Sequence, residues 1–587
     1  MRKVNPITLE VVRNALVAYC DEMATALCRT AYNMMIFEVR DYCIGIVDAA
    51  GNLIAQNTGG LPIFLADLGT AVRGAIEEYG PDGFAPGDVL VSNDPRRCGQ
   101  HLNNVVVFTP VFFAGKLVAF PALRAHWVDV GGGSRGFGST SSRDIYQEGL
   151  QLCGLKLYKA GEPNEELLRL FRDNIRFPEA SFGDLRGQIA GCRLGEKRLN
   201  SLFEKYGQTV LDCIHEMWDE SELLARKAIA ALPDGEYEAE SFIDNDLVDQ
   251  ERTLAIKVKV VVHGDEMTID FSGLPPQARG PINAGMSGGV AAARVAYKML
   301  VAPKGIVNEG EFRPLRVVLP PGTILSAQHP APLAFWSSSL PTVVDTTLRA
   351  MSNLLPERIP AGHKGDMGGI AIFGQDERRG GRRFVCTDIF GGGFGAKASS
   401  DGVNAVVSIC QGAVRNAPVE VQEAYYPIFV EAHRLRPDSG GAGRSRGGLG
   451  IEFVITSPQE IFVNTLLQRT KMPPWGLHGG QDALPMGGVV ETMEGERIPV
   501  RQLDSYRVRP GDRVVMWEGG GGGWGPAEER PTETVRQDVA QGYVSREAAR
   551  VQYGVVLNED LTVDAVATTG LRAEMARATA ASRGGRP

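Results

Sequence analysis

The chain has 587 residues, several times the usual length of one domain, which predicts two to four domains. Hydrophobic residues make up 43% of it and charged residues 22%, as in globular proteins with large cores. The net charge of −9 argues against nucleic acid or an anionic membrane as the main partner. Glycine is unusually frequent, at 71 residues without a collagen period, and indicates many tight turns and loops lined by backbone.

Location is indicated by three further features of the sequence. The opening residues 1–6 lack the apolar core of a signal peptide, and no apolar run is long enough to predict a membrane span. The nine cysteines are odd in number and form no CxxC pair, which is typical of reduced thiols. We therefore expect a cytoplasmic protein that binds neither nucleic acid nor membrane.

The first part of the chain predicts a helix, then short strands, then long helices. Apolar residues with a 3.6-residue period predict a helix over 8–33, and about fifty helical residues over 178–232 are predicted to break near Tyr206-Gly207. Strands are predicted at 43–47, 53–55, 89–91, 105–113 and 117–124. Pro233-Asp234-Gly235 is a turn signal, and we place the first domain boundary at residue 235.

The remainder predicts a β-rich part and a helical tail. Residues 254–262 and 267–271 alternate as a hairpin, a helix is predicted at 287–301, and Gly- and Pro-rich segments continue to residue 520. Short helices are predicted at 533–541 and from Ser545, and the last fifteen residues are expected to be frayed or disordered.

Together these patterns predict an α+β protein, a multi-layer mixed fold with β-rich segments, a long helical insertion and Gly-rich loops. The expected domains are an N-terminal α/β domain (1–235), a mixed β-rich domain (236–528) and a C-terminal helical tail (529–587).

Histidines are few, eight in all, so their positions are informative. His101 precedes the predicted strand 105–113, and His126 closes the predicted strand 117–124. Imidazoles that lie close together on a hairpin can share one metal ion. The alternative is that both are ordinary polar residues at strand ends.

The register of this hairpin depends on its turn. A two-residue turn at Ala114-Gly115 sets Val128 opposite His101 and leaves His126 on the same face. A three-residue loop sets Asp129 opposite His101 and turns His126 to the other face. Both registers gather metal-type ligands at one end of the hairpin.

Two carboxylates could complete such a site. Asp41 follows the opening helix, and Asp94 precedes Pro95 shortly before His101. Each has a structural alternative: Asp-Pro commonly starts a turn, and Asp41 could pair with Arg40. Two imidazoles and a carboxylate would leave positions for water or substrate, as in a catalytic metal site.

The glycine clusters at 391–395 and 519–523 resemble phosphate-binding loops. Neither has the P-loop spacing, and neither follows a strand and opens a helix. Tight backbone packing, or a loop near a partner subunit, is the favoured interpretation. The sequence contains nothing that resembles a complete ATP site.

A series of ordered motifs extends from Asn5 to Val555. The motifs are Asn93-Asp94-Pro95, Gly99-Gln100-His101-Leu102, Arg124-Ala125-His126, Asp129-Val130-Gly131-Gly132, Gln147-Glu148-Gly149, Asp270-Phe271-Ser272-Gly273, Asn416-Ala417-Pro418-Val419-Glu420, Asp438-Ser439-Gly440-Gly441-Ala442-Gly443-Arg444 and Gly522-Gly523-Trp524-Gly525. With them the chain resembles the hydantoinase B/oxoprolinase family, whose members include N-methylhydantoinase B, caprolactamase beta and acetone carboxylase alpha subunits.

This resemblance implies a partner and an activity. It implies a hetero-oligomer with a hydantoinase A-like ATPase subunit that uses ATP and Mg²⁺ to phosphorylate the substrate. The B-type subunit would then hydrolyse the activated cyclic amide. The alternatives are a subunit of an ATP-dependent ketone carboxylase and a non-catalytic scaffold that regulates the ATPase.

The resemblance also implies site residues. It implies that Asp41, His101 and His126 are the ligands of a divalent ion, which could be zinc, manganese or iron, with Asp94 and Asp129 as candidates for orientation or proton transfer. The chain departs from the family pattern at Asn104, where a carboxylate is replaced by an amide, a weaker ligand for transition ions.

Overall fold

The structure, a computed structural model, describes residues 4–134, 138–305 and 307–584. The chain forms two units. The first comprises Met1–Ser241, Asn245–Thr347 and Cys410–Pro418, and the second comprises Phe242–Asp244, Leu348–Ile409 and Val419–Pro587. The three predicted domains, with limits at 235 and 528, stay a prediction.

The first unit contains a large antiparallel sheet with helices on both faces. Its strands are β1 (Tyr42–Asp48), β2 (Leu53–Gln56), β3 (Val89–Ser92), β4 (Asn104–Phe108), β5 (Val111–Phe113), β6 (Lys116–His126), β7 (Leu155–Lys159) and β8 (Glu162–Pro163). Their order is β2-β1-β6-β4-β3-β7-β8, and β5 also pairs with β6. The helices are α1 (Pro6–Thr30), α2 (Met34–Phe37), α3 (Pro62–Leu65), α4 (Leu68–Tyr79), α5 (Pro95–Cys98), α6 (Glu165–Asn174), α7 (Pro178–Tyr206), α8 (Thr209–Ala230) and α9 (Met286–Val301).

The two faces of this sheet differ in chemistry. Helices α1 and α7 cover one face, where Ile44, Leu123 and Ala125 join the hydrophobic core. Side chains alternate along a strand, so Arg124 and His126 point to the opposite face, on which α3 and α4 lie. We call this second face, with its buried polar side chains, the polar face.

The helical predictions for this unit are confirmed. The predicted break near Tyr206-Gly207 separates α7 from α8, and the predicted opening helix is α1. The predicted strand 105–113 is instead two strands, β4 and β5. Pro110 lies between them, and a proline has no N–H to continue the ladder.

The predicted two-residue hairpin turn is present. Phe113 pairs with Lys116, and the intervening Ala114 and Gly115 have φ angles of 49° and 75°. Positive φ at both central residues is typical of the turns that match the twist of a hairpin.

The register expected from a two-residue turn does not continue beyond it. A bulge between Val111 and Phe112 shifts the pairing by one residue, so that Asn104 pairs with His126. Val128 is therefore not set opposite His101 by this ladder. A β-bulge inserts one extra residue into one strand, and the local hydrophobic pattern carries no mark of it.

A second sheet in this unit has the order β12-β11-β10-β9. Its strands are β9 (Gly235–Ile243), β10 (Leu254–His263), β11 (Glu266–Asp270) and β12 (Leu315–Val318). The predicted hairpin is thus β10–β11, and the predicted helix at 287–301 is α9.

The second unit is built on two further sheets, of order β14-β13-β17-β20 and β15-β16-β21-β18-β19. The strands are β13 (Gly369–Asp376), β14 (Arg382–Ile389), β15 (Phe429–Leu435), β16 (Ile451–Thr456), β17 (Ile461–Leu466), β18 (Gly487–Glu491), β19 (Arg497–Val500), β20 (Gln502–Val508) and β21 (Arg513–Trp517). The remaining helices of the chain are α10 (Leu340–Ala350), α11 (Val419–Tyr425), α12 (Thr532–Ala540), α13 (Arg546–Tyr553) and α14 (Ala565–Gly584). The mixed α+β class is confirmed.

The C-terminal part of the chain contains α14, which extends as far as Gly584. That the last fifteen residues are frayed or disordered stays a prediction. Residues 585–587, to which that prediction also applies, lie outside the described residues. Within the described ranges, no helix has the length and apolar character needed to cross a membrane.

The glycine clusters of the second unit pack backbone against backbone. A Cβ atom on Gly521 would lie 2.0 Å from the carbonyl oxygen of Phe394, and one on Gly393 would lie 2.0 Å from that of Gly448. Real Cβ atoms do not approach so closely, so only glycine fits these positions. This is the tight backbone packing that the sequence favoured over a phosphate loop.

Candidate functional site

The polar face of the large sheet brings together residues from three neighbouring segments. His126 is the last residue of β6, and its N–H donates a 3.1 Å hydrogen bond to the carbonyl oxygen of Asp41, which precedes β1. On the other side of His126, Asn104 begins β4 and pairs with it. His101 comes from the loop between α5 and β4.

The two histidines meet in the interior. The ring centroids of His101 and His126 are 5.1 Å apart with an interplanar angle of 75°, and both residues are buried. Nδ1 of His101 lies 3.1 Å from the carbonyl oxygen of Ala334. A carbonyl oxygen only accepts, so this bond places the ring proton on Nδ1 and the lone pair of the neutral ring on Nε2.

Burial keeps both rings neutral. It lowers the pKa of His101 to about 4, although hydrogen bonds to the Ala334 backbone and the Asn104 side chain act in the opposite direction. The pKa of His126 is lowered well below its ordinary value, first by burial and then by the neighbouring His101. Neutral imidazoles are the form that takes up a proton or ligates a metal.

Asp41 is a buried carboxylate beside this pair. Its N–H donates to the carbonyl oxygen of Met35, and its Oδ1 has no hydrogen-bond partner among the described residues. Burial raises the pKa of Asp41 to about 7. A buried carboxylate without a hydrogen-bond partner is stabilised by a bound proton or by a nearby cation.

The donor set suits a divalent ion, because two neutral imidazoles and a carboxylate are typical zinc, manganese or iron ligands. In the described part of the chain, however, no group of three or more His, Cys, Asp or Glu side chains is arranged so that it could hold a metal ion. The structure therefore joins His101 and His126, and the three-ligand site with Asp41 stays a prediction.

Asp94 caps a short helix. Its carboxylate accepts the N–H of Arg96 at 3.1 Å and the Nε–H of the same side chain at 2.9 Å, at the start of α5. This is the structural alternative that the Asp-Pro sequence suggested. Asp94 also lines a cavity of about 330 Å³ with Arg96, Arg97 and Cys153.

Asp129 joins the end of the sheet to the helical segment. It accepts hydrogen bonds from the backbone N–H of Arg176 and, at 2.9 Å, from its guanidinium Nη1. The N–H of Gly131 donates to the same carboxylate at 3.2 Å. Its observed bonds are therefore those of an anchor between elements.

The match that decides the family covers most of the chain, since a family model for hydantoinase B/oxoprolinase matches residues 5–527. The chain belongs to the hydantoinase B/oxoprolinase family. The resemblance noted from the sequence motifs is thereby confirmed.

Two relatives align over nearly their whole length. A protein of Pseudomonas sp. (strain NS671), assigned as the B-type subunit of a D-/L-hydantoinase, is 32% identical, over 97% of this chain and 98% of the relative. The caprolactamase beta chain of Pseudomonas jessenii is 31% identical, over 98% of this chain and all of the relative.

Solved structures agree with this assignment. The crystal structure of ATP-dependent caprolactamase from Pseudomonas jessenii matches with a TM-score of 0.91 and 30% identity, over 97% of this chain and 100% of that chain. A nucleotide-free structure of acetone carboxylase matches with a TM-score of 0.90 over 99% of this chain and 84% of that one. The second match, at 19% identity, shows the fold alone.

Sequence reasoning missed how His101 of this hydantoinase B family member is held. The carboxylate of Glu148 accepts the N–H groups of Leu333 and Ala334 at 2.9 and 3.0 Å and the hydroxyl of Ser142 at 2.8 Å. Glu148 therefore holds the backbone N–H of Ala334, the residue whose carbonyl oxygen binds the His101 ring. The sequence feature that could have indicated this role is that Glu148 lies in one of the family motifs, Gln147-Glu148-Gly149.

An aromatic side chain near the histidines was also missed. Trp336 lies edge-on to His101 at 5.9 Å between ring centroids, and Phe64 lies 6.3 Å from Trp336. These rings give the histidine pair an apolar flank. Nothing in the local sequence indicates it, because Trp336 is remote in the chain.

Proposed function

We propose that the chain is the B-type subunit of an ATP-dependent cyclic-amide hydrolase, which acts on an intermediate phosphorylated by a partner ATPase subunit. The observation that carries this proposal is the end-to-end match to ATP-dependent caprolactamase, at a TM-score of 0.91 and 30% identity. The buried pair of neutral imidazoles supplies the chemical counterpart within this chain.

Phosphorylation of an amide oxygen removes the resonance that protects the carbonyl carbon and creates a leaving group. A modest nucleophile such as water then suffices. Burial keeps His101 and His126 neutral, which is the form that would ligate an ion able to activate that water. Glu148, acting through Ala334, holds the His101 ring so that its lone pair stays on Nε2.

Asp41, His101 and His126 are the residues that would hold a divalent ion of zinc, manganese or iron. When bound, such an ion supplies Lewis-acid polarisation and lowers the pKa of water. The buried Oδ1 of Asp41 supports this role, since it has no partner among the residues described. ATP and Mg²⁺ belong to the partner ATPase in this scheme.

Asp94 and Asp129 are assigned to orientation. Each carboxylate is held by an arginine, Arg96 or Arg176, through hydrogen bonds at 2.9 Å. Such fixed ion pairs favour positioning of the loops beside the site over proton transfer.

The test is reconstitution with a hydantoinase A-type ATPase subunit, followed by a screen of lactams, hydantoins, 5-oxoproline and ketones, with and without bicarbonate. We expect ATP-dependent ring opening of a cyclic amide that needs both subunits. Turnover that requires bicarbonate would instead identify a ketone carboxylase. ATP hydrolysis regulated by this chain but insensitive to His101→Ala would identify a scaffold.

The assignment of ATP binding to the partner subunit can be tested separately. The isolated chain should neither bind ATP tightly nor hydrolyse it, because its glycine clusters pack against backbone and lack a phosphate-loop context. Micromolar ATP binding to the purified chain, measured by calorimetry, would contradict this assignment.

A further inference from the structure

Arg124 is a fully buried cation on the polar face of the large sheet. Its side chain has no exposed surface, and its Nη1 donates a 2.6 Å hydrogen bond to Oδ1 of Asp67. The hydroxyl of Ser287 donates to the other oxygen of Asp67 at 3.1 Å. One end of the guanidinium is thus fixed and its charge is compensated.

The other edge of the same guanidinium has no acceptor. Nε and Nη2 of Arg124 are buried and hydrogen-bond to none of the residues that the structure describes. The ring of Phe64 lies 5.4 Å from Cζ, which gives a cation–π contact but offers no oxygen lone pair. Buried donors are rarely left in this condition in proteins.

The two unbonded donors are adjacent. Nε–H and Nη2–H form one side of the guanidinium fork and point in parallel, which is the geometry that receives two oxygens of a carboxylate or phosphate. Asp67 bonds to Nη1 and not to this edge.

This edge belongs to the region of the histidine pair. Arg124 precedes His126 by two residues in β6, so both side chains lie on the same face of the sheet. Arg124 pairs with Cys43 in β1 and with Val106 in β4, and neither side chain supplies an oxygen.

We propose that the Nε–Nη2 edge of Arg124 binds an oxyanion that presents two oxygens side by side, such as a carboxylate, bicarbonate or phosphoryl group. Asp67 and Ser287 hold the guanidinium in the orientation that receives it. The use of this anion site in turnover rests on the proposed function, whereas anion binding itself is a property of the isolated chain.

The experiment is calorimetric titration of the isolated full-length chain at constant ionic strength with inorganic phosphate, acetate and bicarbonate in turn, with chloride as the reference salt. We expect at least one of the three to bind, and the one that binds distinguishes a phosphoryl from a carboxylate or carbonate ligand. Arg124→Lys keeps the charge but loses the fork, so its affinity should fall by at least about tenfold.

Arg294→Lys is the matched control. Arg294 is a largely buried guanidinium in the same unit, bonded to Glu309 and 4.7 Å from the ring of Phe312, so it shares the carboxylate and aromatic partners of Arg124. The control should bind the anion as the wild type does.

Two results would overturn the proposal: no binding of any of the three anions to the wild type, or equal binding to Arg124→Lys. If Arg124→Lys does not fold, the double variant Asp67→Asn/Arg124→Gln removes both charges together. Loss of binding in that variant supports the site, and retained binding refutes it. None of these measurements uses the ATPase partner. The anion-binding result can therefore be interpreted even if the proposed hydrolase activity is not found.

Discussion

The imidazole rings of His101 and His126 meet edge to face, 5.1 Å apart between centroids, although one belongs to a loop and the other ends a strand. Ala334 fixes the loop histidine through its carbonyl oxygen, whereas the ladder partners Asp41 and Asn104 fix the strand histidine. The pair therefore depends on contacts from separate parts of the chain.

The first prediction concerns the metal. His101→Ala and His126→Ala should each remove most of the bound metal and most of the partner-dependent turnover, because each variant deletes one of three proposed ligands. Elemental analysis of purified variants measures the metal. His263→Ala is the control, since that side chain is 92% exposed and is not one of the three proposed ligands.

Stability must be measured beside metal content. Both rings are buried, and His101→Ala leaves the Ala334 carbonyl without its donor, which we expect to cost about 1–3 kcal/mol. If the double variant His101→Ala/His126→Ala folds and still binds a full complement of metal, the metal-site hypothesis is wrong.

The second prediction concerns Glu148. Glu148→Gln leaves one accepting oxygen in place of two, and in either orientation of the amide its NH2 group faces the N–H of Leu333, which lies 2.9 Å from both carboxylate oxygens. Ala334, whose carbonyl oxygen orients His101, should then shift, lowering kcat more than it changes KM. A shift in the nitrogen NMR signals of the His101 ring reports this effect directly.

Asp144→Asn is the control for Glu148→Gln, because Asp144 is a nearby carboxylate whose bonds go to Gln147. It should leave kcat and the His101 signals unchanged. If Glu148→Gln also leaves both unchanged, Glu148 does not position His101.

The third prediction concerns the departure from the family pattern at Asn104. Asn104 is fully buried, and its amide donates to Oε1 of Gln100 at 2.8 Å. Asn104→Asp adds a buried charge, so the metal-free variant should melt below the wild type, whereas added metal should raise its Tm more than that of the wild type. Competition with a chelator should show tighter metal binding. Unchanged metal affinity would place Asn104 outside the ligand shell.

The fourth prediction is a pH dependence from Asp184. Burial raises the pKa of Asp184 to about 7 from an ordinary 3.8, although the N–H groups of Tyr32 and Asn33 donate to its Oδ1. Between about pH 4 and pH 7 the folded state holds a proton that the unfolded state has lost. Stability therefore falls as the pH rises through this window, by up to about 1.4 kcal/mol per pH unit.

Asp184→Asn removes this titration and retains an oxygen for the two N–H groups. The Tm of the wild type should fall relative to that of the variant between about pH 4 and pH 7. Asp173→Asn, at an exposed position of α6, should follow the wild type. If the Tm of the wild type and that of Asp184→Asn change with pH in the same way, the prediction is contradicted.

The sequence predicted those features that depend on local pattern. The break after Tyr206 and the turn at Ala114-Gly115 follow from glycine and from hydrophobic periodicity, and both are present. The bulge between Val111 and Phe112 could not be predicted, because one inserted residue leaves the local hydrophobic pattern unchanged while it shifts the strand pairing.

The site was predictable only in part, for a related reason. His101 and His126 flank one hairpin, so their meeting could be inferred from nearby residues. Ala334, which orients His101, lies 233 residues further along the chain. Such distant contacts arise from tertiary packing, and no local periodicity encodes them.

The fifth prediction tests the interpretation of the glycine clusters. Gly521→Ala would place a Cβ atom 2.0 Å from the carbonyl oxygen of Phe394, which is backbone and cannot rotate away. We expect a loss of more than about 3 kcal/mol in the free energy of unfolding, or failure to fold. Gly570→Ala is the control, because Gly570 lies in α14 with no atom within 4 Å of the added Cβ. Gly570→Ala should raise the free energy of unfolding of that helix by up to about 1 kcal/mol. Thermal melts of both variants decide the matter, and a Gly521→Ala protein as stable as the wild type would show that the clusters are not locked by backbone contact.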